Sequence, residues 1–429
     1  MSVSTKPLKG FRDFVPADWA VQEYIFKTWK DVCLSYGFDE YNGPILEDIN
    51  IYNKSGGDIG TLGKELYSFT DRGERHIALR PEMTPTVGRM VAEYGTNYPK
   101  PIKWFSVAQF FRAENPQKGR GREFFQLNAD IFGDDSVYSD FEVICLSIDI
   151  MKAFKADESM FKVKINNRKF TNFYFNEVLG IKDASAVQSI MRIIDASPKK
   201  ERSWFEESLN EVAVAKNYDN LVSKIDEYLN IDIETISSYQ DKSEGAVEVA
   251  KLFELLKDRD LDKFCVFDPS MARGFDYYTG MVFEVFDLNP ENRRAMFGGG
   301  RYDDLLDIFG KPKVPAVGFA PGDMTTAIFL KQWGLLDNLS KSQGTKYYAP
   351  MLSTKLYPSL LNVVNDIRAE GNNRVKLGLK EESISKALTF ANKNDIDKVI
   401  ILGEDEYKNQ IYKVKSMDTG EEQSFPLKA

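Results

Sequence analysis

Apolar positions recur at helical spacing from residue 18 to residue 36, where Trp19, Val21, Ile25, Trp29, Val32 and Cys33 form one stripe that stops at Gly37. Gly43-Pro44 then breaks any helix, and Ile45 and Leu46 open a new element. From 66 to 135 the period shortens to two: LYSFTD, IALRPE, KWFSVAQFFRAE and EFFQLNADIFG read as strands separated by polar breaks. Long strands with hairpin-type connections predict antiparallel sheet. The apolar helix SDFEVICLSIDIMKAF (139–154) is expected to cover it.

Residues 167–262 change character: alternation disappears, runs such as GAVEVAKLFELLK (245–257) are helical, and Lys, Glu and Asp are abundant. This reads as a helical insertion. Alternation resumes in MVFEVF (281–286), with Met281, Phe283 and Val285 on one face, and PAVGFAPGDMTTAIFL reads as a strand that turns through Gly322 into a helix. After the polar break LSKSQG (339–344) the pattern becomes β-α-β-α-β, with Leu360, Val363, Val364 and Ile367 on one helical face, and it closes in a hairpin. The predicted organisation is α+β: a first part at 1–166, the helical insertion at 167–262, a second part at 263–338, and a small α/β domain at 345–429.

At 429 residues the chain has material for about three domains. A net charge of −9, from 65 acidic against 56 basic residues, argues against a protein that coats nucleic acid with its whole surface. Cys33, Cys145 and Cys265 are few, far apart and without a CxxC pair, so neither a disulfide framework nor a zinc site is indicated, and the cytoplasm is the expected compartment. No stretch has the apolar length of a membrane span, and MSVSTKPLKGFRDFVP has no apolar leader core. The single histidine, His76, excludes His-based triads and multi-His metal sites; in its alternating stretch it reads as an edge or surface imidazole. Any chemistry must run on carboxylates, arginines, tyrosines or groups of the substrate.

Against the acidic background, FRAENPQKGRGREFFQ concentrates Arg112, Lys118, Arg120 and Arg122 in one span. Two apolar strands joined by a basic Pro/Gly loop form a hairpin whose mouth can hold a large anion. Arg112, expected inside a strand and flanked by aromatics, suits bidentate contact with phosphate or carboxylate.

These residues carry a resemblance. FRAE, a loop and RGREF resemble motif 2 of class II aminoacyl-tRNA synthetases, and YGFDEYNGPILE, with Pro44, resembles the dimer-forming motif 1. MARGFDYYTGMVFEVF (271–286) and FGGGRYDDLL (297–306) are similar to the two signatures of the histidyl-tRNA synthetase family, and KGFRDFVP and LRPEMT (79–84) fit the same pattern. The resemblance implies a class II catalytic domain, an antiparallel sheet flanked by helices, with a C-terminal anticodon-binding domain. It implies a ligase that forms histidyl-adenylate from L-histidine and ATP with Mg2+, then charges histidine tRNA, in a cytoplasmic homodimer with no membrane association. Neither step needs a protein nucleophile, because the substrate carboxylate is already anionic.

Carried over residue by residue, the resemblance gives Arg112 and Arg273 the catalytic roles, on the α-phosphate and the histidine carboxylate. It gives Glu114 the adenine amino group, Arg120 the terminal phosphate and Phe124 a stacking role on adenine. Glu82, Met83 and Thr84 form the stretch that meets the substrate ammonium, and Gln126 meets the carboxyl end. Asp130 and Tyr278 grip the imidazole, with Tyr277 and Tyr302 lining the pocket and Gly298 to Gly300 letting the backbone approach the ligand. Gln117, Lys118 and Arg122 are left for the tRNA acceptor end, and no metal site built from protein groups alone is expected. Lys355, Arg374 and Lys376 could face anticodon phosphates, or be solvated surface charge.

The chain departs from the family pattern twice. In GFAPGDMTT, Met324 and Thr325 stand where the glutamate and arginine of motif 3 fall, so either another cation, Arg301 or a loop residue, substitutes, or the γ-phosphate is held loosely. Asn115 stands where many relatives carry a basic residue that faces the acceptor end. The alternative is a histidine-sensing regulatory paralogue of ATP phosphoribosyltransferase, which usually lacks the C-terminal domain; a synthetase for proline, threonine or glycine is a further one.

Overall fold

The structure, a computed structural model, describes residues 3–52, 65–272, 277–292, 295–336 and 344–427. The chain divides into two compact units, Met1–Leu336 and Asp337–Ala429. The strands, in chain order, are β1 (Asp39–Glu40), β2 (Leu46–Asp48), β3 (Tyr67–Thr70), β4 (His76–Leu79), β5 (Ile102–Phe111), β6 (Glu123–Phe132), β7 (Phe161–Asn167) and β8 (Cys265–Phe267). They continue with β9 (Met281–Asp287), β10 (Ala295–Arg301), β11 (Ala316–Phe319), β12 (Lys346–Met351), β13 (Arg374–Glu381), β14 (Lys398–Ile401), β15 (Ile411–Ser416) and β16 (Glu422–Pro426).

In the first unit eight strands form one sheet in the order β1-β5-β6-β11-β10-β9-β7-β8. The interior pairs are antiparallel, as expected, but both edge pairs, β1 with β5 and β7 with β8, are parallel. The β7–β8 link is a crossover through the whole helical insertion, and a crossover is what parallel pairing requires.

Side-chain alternation gives this sheet two different faces. Phe105, Leu127, Ala129, Ile131, Phe283, Val285, Val317 and Phe319 point to one side, where they form a core with Ile25 and Trp29 of helix Pro16–Ser35 and Ile144 and Ile148 of helix Val137–Ala153. The opposite face carries Ser106, Ala108 and Phe110 from β5, paired across the hairpin with Asn128, Gln126 and Phe124 of β6. Helix Thr84–Tyr94 covers the lower part of this second face through Met83, Val87, Val91, Trp104 and Phe132. The rest of it stays open.

The insertion has its own core, in which Phe170, Phe175, Ile190, Ile194, Leu209, Ile225, Tyr228 and Val249 pack together, joined by Phe267 of β8 and Ala272 beyond it. A three-stranded sheet, β2-β4-β3, lies beside the helix Thr84–Tyr94. His76 is exposed at the start of its central strand, not on an edge.

The second unit is a five-stranded sheet, β13-β12-β14-β15-β16. Helix Tyr357–Ala369 packs with Ala349 and Ile400 on one face, and helix Ile384–Lys393 packs through Ala387 and Ala391 with Tyr348 and Val399 on the other. Lys355, Arg374 and Lys376 are exposed, and the Lys376 ammonium lies 4.9 Å from the Phe390 ring centre.

Candidate active site

The open face of the first sheet is the floor of a cleft of about 590 Å³. Its long wall is the β5–β6 hairpin, which is joined to the residues just after β11 by bonds from Leu127 N–H to Pro321 O and from Gln126 Nε2 to Ala320 O. Period-two alternation sends Phe124, Gln126 and Asn128 into the cleft while Phe125 and Leu127 turn to the helices.

Of the residues expected from sequence, Glu82, Thr84, Arg112, Glu114, Arg120, Phe124, Gln126, Tyr277 and Tyr278 all line this one cleft. Arg112 stands one residue beyond the end of β5 rather than within it. Its Nε donates to Pro81 O at 3.0 Å, and its guanidinium lies 5.0 Å from the Phe124 ring centre. The ring expected to stack on adenine therefore carries the arginine on one side and packs against Phe110 at 5.8 Å. The Glu114 carboxylate sits 3.5 Å from Arg120 Nη1. Burial pushes the Glu82 carboxyl up, and the charge of Arg112 pulls it back.

Three expected residues lie beneath the cleft instead of lining it. Met83, at the N-terminus of helix Thr84–Tyr94, is fully buried in the core with Val87 and Phe110, while Glu82 and Thr84 on either side of it line the cleft. Asp130 and Tyr302 are each 4% exposed, and the Tyr302 hydroxyl donates to Asp130 Oδ1. The Tyr302 ring stacks on Tyr277 at 5.5 Å, so the tyrosine joins the cleft wall to the carboxylate below. Burial raises the Asp130 carboxyl to about 7, against the lowering effect of the Tyr302 hydroxyl.

Two glycines make this layering possible. A Cβ on Gly318 would fall 2.0 Å from Asp130 Oδ1, and one on Gly300 would fall 2.8 Å from the Tyr278 ring. At Gly300 the space is thus taken by a tyrosine of the protein.

The basic loop divides by burial. Gln117 and Arg120 exchange backbone hydrogen bonds at 3.0 and 2.9 Å, which folds the loop tip into a tight turn. Gln117 and Lys118 are exposed and line an adjoining groove of about 560 Å³ together with Arg120 and Thr325. Arg122 is drawn inward: its Nε donates to Glu114 O at 3.0 Å and its N–H to Gly10 O at 2.8 Å. Asn115 is exposed. Arg273 lies outside the described residues.

Arg301 does not reach the cleft. It is 3% exposed, with Nε and Nη2 bonded to Asp140 Oδ1 at 3.0 and 2.7 Å and Nη1 to Asp134 O at 3.0 Å. It cannot stand in for a motif 3 arginine. Thr325 Oγ1 is itself satisfied by Met296 O and Gly322 O.

Sequence reasoning missed several contributors. Asp323, fully buried, accepts Arg12 Nη2 at 2.6 Å, Gln22 Nε2 at 2.7 Å and the Phe125 N–H at 2.9 Å, and so ties the N-terminal segment to β6. Arg168, 2% exposed, donates through Nη1 to Met271 O and through Nη2 to Ala272 O, both at 3.1 Å, and its N–H donates to Gly280 O at 2.8 Å. It thus grips both ends of the segment that bears Tyr277 and Tyr278. Asn128 lines the cleft two residues from Gln126, a position that alternation alone could have flagged. Among the described residues no group of three or more His, Cys, Asp or Glu could hold a metal ion. No described helix is long and apolar enough to cross a membrane.

A family model described as histidyl-tRNA synthetase matches residues 10–322, and one described as an anticodon binding domain matches 346–429. A histidine–tRNA ligase of Leptospira biflexa is 37% identical over 99% of this chain and 95% of its own length. One of Haloarcula marismortui is 34% identical over 98% and 96%. Among solved structures, a histidyl-tRNA synthetase from Nostoc sp. superposes with a TM-score of 0.85 over 99% of this chain and 97% of its own, at 23% identity.

Proposed function

The chain belongs to the histidyl-tRNA synthetase family, and from that premise we propose how its residues divide the work. The activity is that of a histidine–tRNA ligase: histidine and ATP give histidyl-adenylate, and the histidyl group passes to histidine tRNA. Full-length relatives of that name, and a matched anticodon-binding domain, favour this over the regulatory alternative.

The observation that carries the residue assignment is the convergence of Glu82, Thr84, Arg112, Glu114, Arg120 and Gln126 on one cleft. Arg112, held by Pro81 O and seated on Phe124, presents its free donors to the point where the substrate carboxylate meets the α-phosphate. Fixed donors at that point stabilise the charge of in-line displacement without reorganising. Glu82 and Thr84 take the ammonium, Gln126 the carboxyl end, and Glu114 the adenine amino group. Arg120, half exposed, is free to leave Glu114 for the terminal phosphates, a weak exposed contact being cheap to break. Tyr278 takes the imidazole, while Asp130 and Tyr302 shape that end from below. Arg273 completes the charge stabilisation. Mg2+ enters on the ATP phosphates, which suits an ion that keeps water and phosphate ligands and needs no all-protein cage.

Gln117 and Lys118 meet the tRNA acceptor end, and Arg122 closes the loop. Ile45 and Leu46 at the start of β2 and Phe69 on β3, the two outer strands of the three-stranded sheet, are each more than 40% exposed and are the apolar patch through which a second copy docks to form the homodimer. The compartment is the cytoplasm, given three free cysteines and no membrane-length helix among the described residues. Amino-acid-dependent ATP–pyrophosphate exchange over all the standard amino acids tests the reading: exchange with histidine alone supports it, and folded protein without exchange ends it.

A further inference from the structure

Five side chains of β6 face this side of the sheet; Phe132 is covered by helix Thr84–Tyr94, and three of the other four are engaged. Phe124 lies beneath Arg112, Gln126 donates to Ala320 O at 3.2 Å, and Asp130 accepts the Tyr302 hydroxyl through Oδ1 while its Oδ2 has no partner among the described residues. The fourth, Asn128, lines the cleft, is only 4% exposed, and has no partner for its Oδ1 among the described residues. Its cross-strand neighbour does not supply one: Ser106 sits directly opposite on β5 and its hydroxyl faces Tyr41 instead. Buried side-chain amides are almost always hydrogen-bonded, and an orphan at the wall of a cleft points to a ligand.

The position selects which part of the ligand. Asn128 lies on the strand between Gln126, at the carboxylate end of the cleft, and Asp130 with Tyr302, at the closed end. The substrate's charged groups call for charged partners, and Arg112 and Glu82 provide them. A neutral amide, with one acceptor and two donors, matches an uncharged imidazole, which has one of each.

We propose that the Asn128 side-chain amide hydrogen-bonds a ring nitrogen of the substrate imidazole and is a specificity-determining residue of this ligase. This rests on the reading of histidine as the substrate. Asn128 then adds a neutral amide beside the carboxylate of Asp130, whose Oδ2 is also without a partner among the described residues.

Full-length Asn128→Ala and Asn128→Asp are to be compared with the unaltered chain in histidine-dependent ATP–pyrophosphate exchange. Asn128→Ala should raise the histidine KM roughly ten- to a hundredfold, the loss expected when one buried hydrogen bond to a substrate goes. The ATP KM should stay within about twofold, because the nucleotide lies beyond Gln126. Asn128→Asp can only accept and carries charge, so it favours the imidazolium: its histidine KM should fall relative to the unaltered chain as pH drops from about 8 to about 6. Ser106→Ala should leave the histidine KM within about twofold.

A histidine KM unchanged in Asn128→Ala, or an equal rise for ATP and histidine, overturns the inference. If Asn128→Ala does not fold, the near-isosteric Asn128→Asp decides, and an unshifted KM and pH profile overturn it. Exchange by the unaltered chain with another amino acid, or with none, would instead end the reading of the substrate.

Discussion

The hydroxyl of Tyr302 donates to Oδ1 of Asp130, and the pair is buried below the cleft instead of within it. Burial raises the Asp130 carboxyl to about 7 in the folded chain, whereas an unfolded aspartate titrates near 3.8. Between those values the folded state holds more protons than the unfolded state, so this group's contribution to stability is complete at the acid end and is lost as pH rises through about 7. Asp140, raised to about 6 by burial despite Arg301, slopes the same way. Asp130→Asn removes one of the two slopes. Its unfolding free energy, measured by denaturant against the unaltered chain, should gain steadily from about pH 4 to about pH 7, by a few kcal/mol in all. Tyr302→Phe deletes the bond that lowers Asp130, so its decline should extend to higher pH.

Arg168 holds Met271 O and Ala272 O with a two-pronged guanidinium, and its own N–H holds Gly280 O. Lysine keeps the charge but not the fork. Arg168→Lys should therefore cost about 1.5–3 kcal/mol in urea unfolding, one charged hydrogen bond's worth. Arg168→Met should lose more. Both should raise the histidine KM more than the ATP KM, because the gripped segment carries Tyr277 and Tyr278, while Glu114 and Arg120 stand on a different loop.

Asp323 gathers Arg12, Gln22 and the Phe125 N–H onto two oxygens with no solvent exposure. Asp323→Ala strands three donors and should destabilise by roughly 3 kcal/mol or more. Asp323→Asn can still accept from Phe125 and should cost about half as much. Arg12→Ala, at a side chain 30% exposed, should be the mildest of the three. A denaturant series that ranks them otherwise would show that the N-terminal segment is not anchored here.

How much of this was legible in the sequence follows from which forces are local. Period-two alternation placed Phe124 and Gln126 on the opposite face from Phe125 and Leu127, since pleating is a property of each strand by itself. Depth was not legible: Asp130 and Tyr302 read as pocket-lining residues, and only the absence of a Cβ on Gly318, from another strand, seats the carboxylate below the floor. Arg301 read as a free cation because its partner Asp140 is 161 residues away in sequence. The parallel edge pairs were illegible for the same reason: β1 meets β5 some sixty residues later, and a crossover through the insertion brings β8 to β7. Asn128 is the converse case, for its spacing from Gln126 was visible and only its missing partner had to be seen in three dimensions.

Thr325 occupies the place of the motif 3 arginine, and its methyl lies 3.5 Å from where a Cβ on Gly119 would stand, so the tip of the basic loop rests on it. Among the described residues that side offers no cation, and Arg120 on the same loop is the nearest described charge for the terminal phosphates, half exposed beside Glu114. Arg120→Ala should therefore cost about 2.7–4 kcal/mol in kcat/KM for ATP, the loss expected of an anion donor with no substitute. Thr325→Arg adds a second donor from helix Asp323–Gln332, whose N-terminus lines the cleft. It should lower the ATP KM and leave the histidine KM unchanged. The decisive comparison is the double variant: in the Thr325→Arg background, Arg120→Ala should cost at least about 1 kcal/mol less than it does alone, because two donors then share one phosphate. Strictly additive losses would mean that the two positions address different groups, and that the missing arginine is replaced from elsewhere.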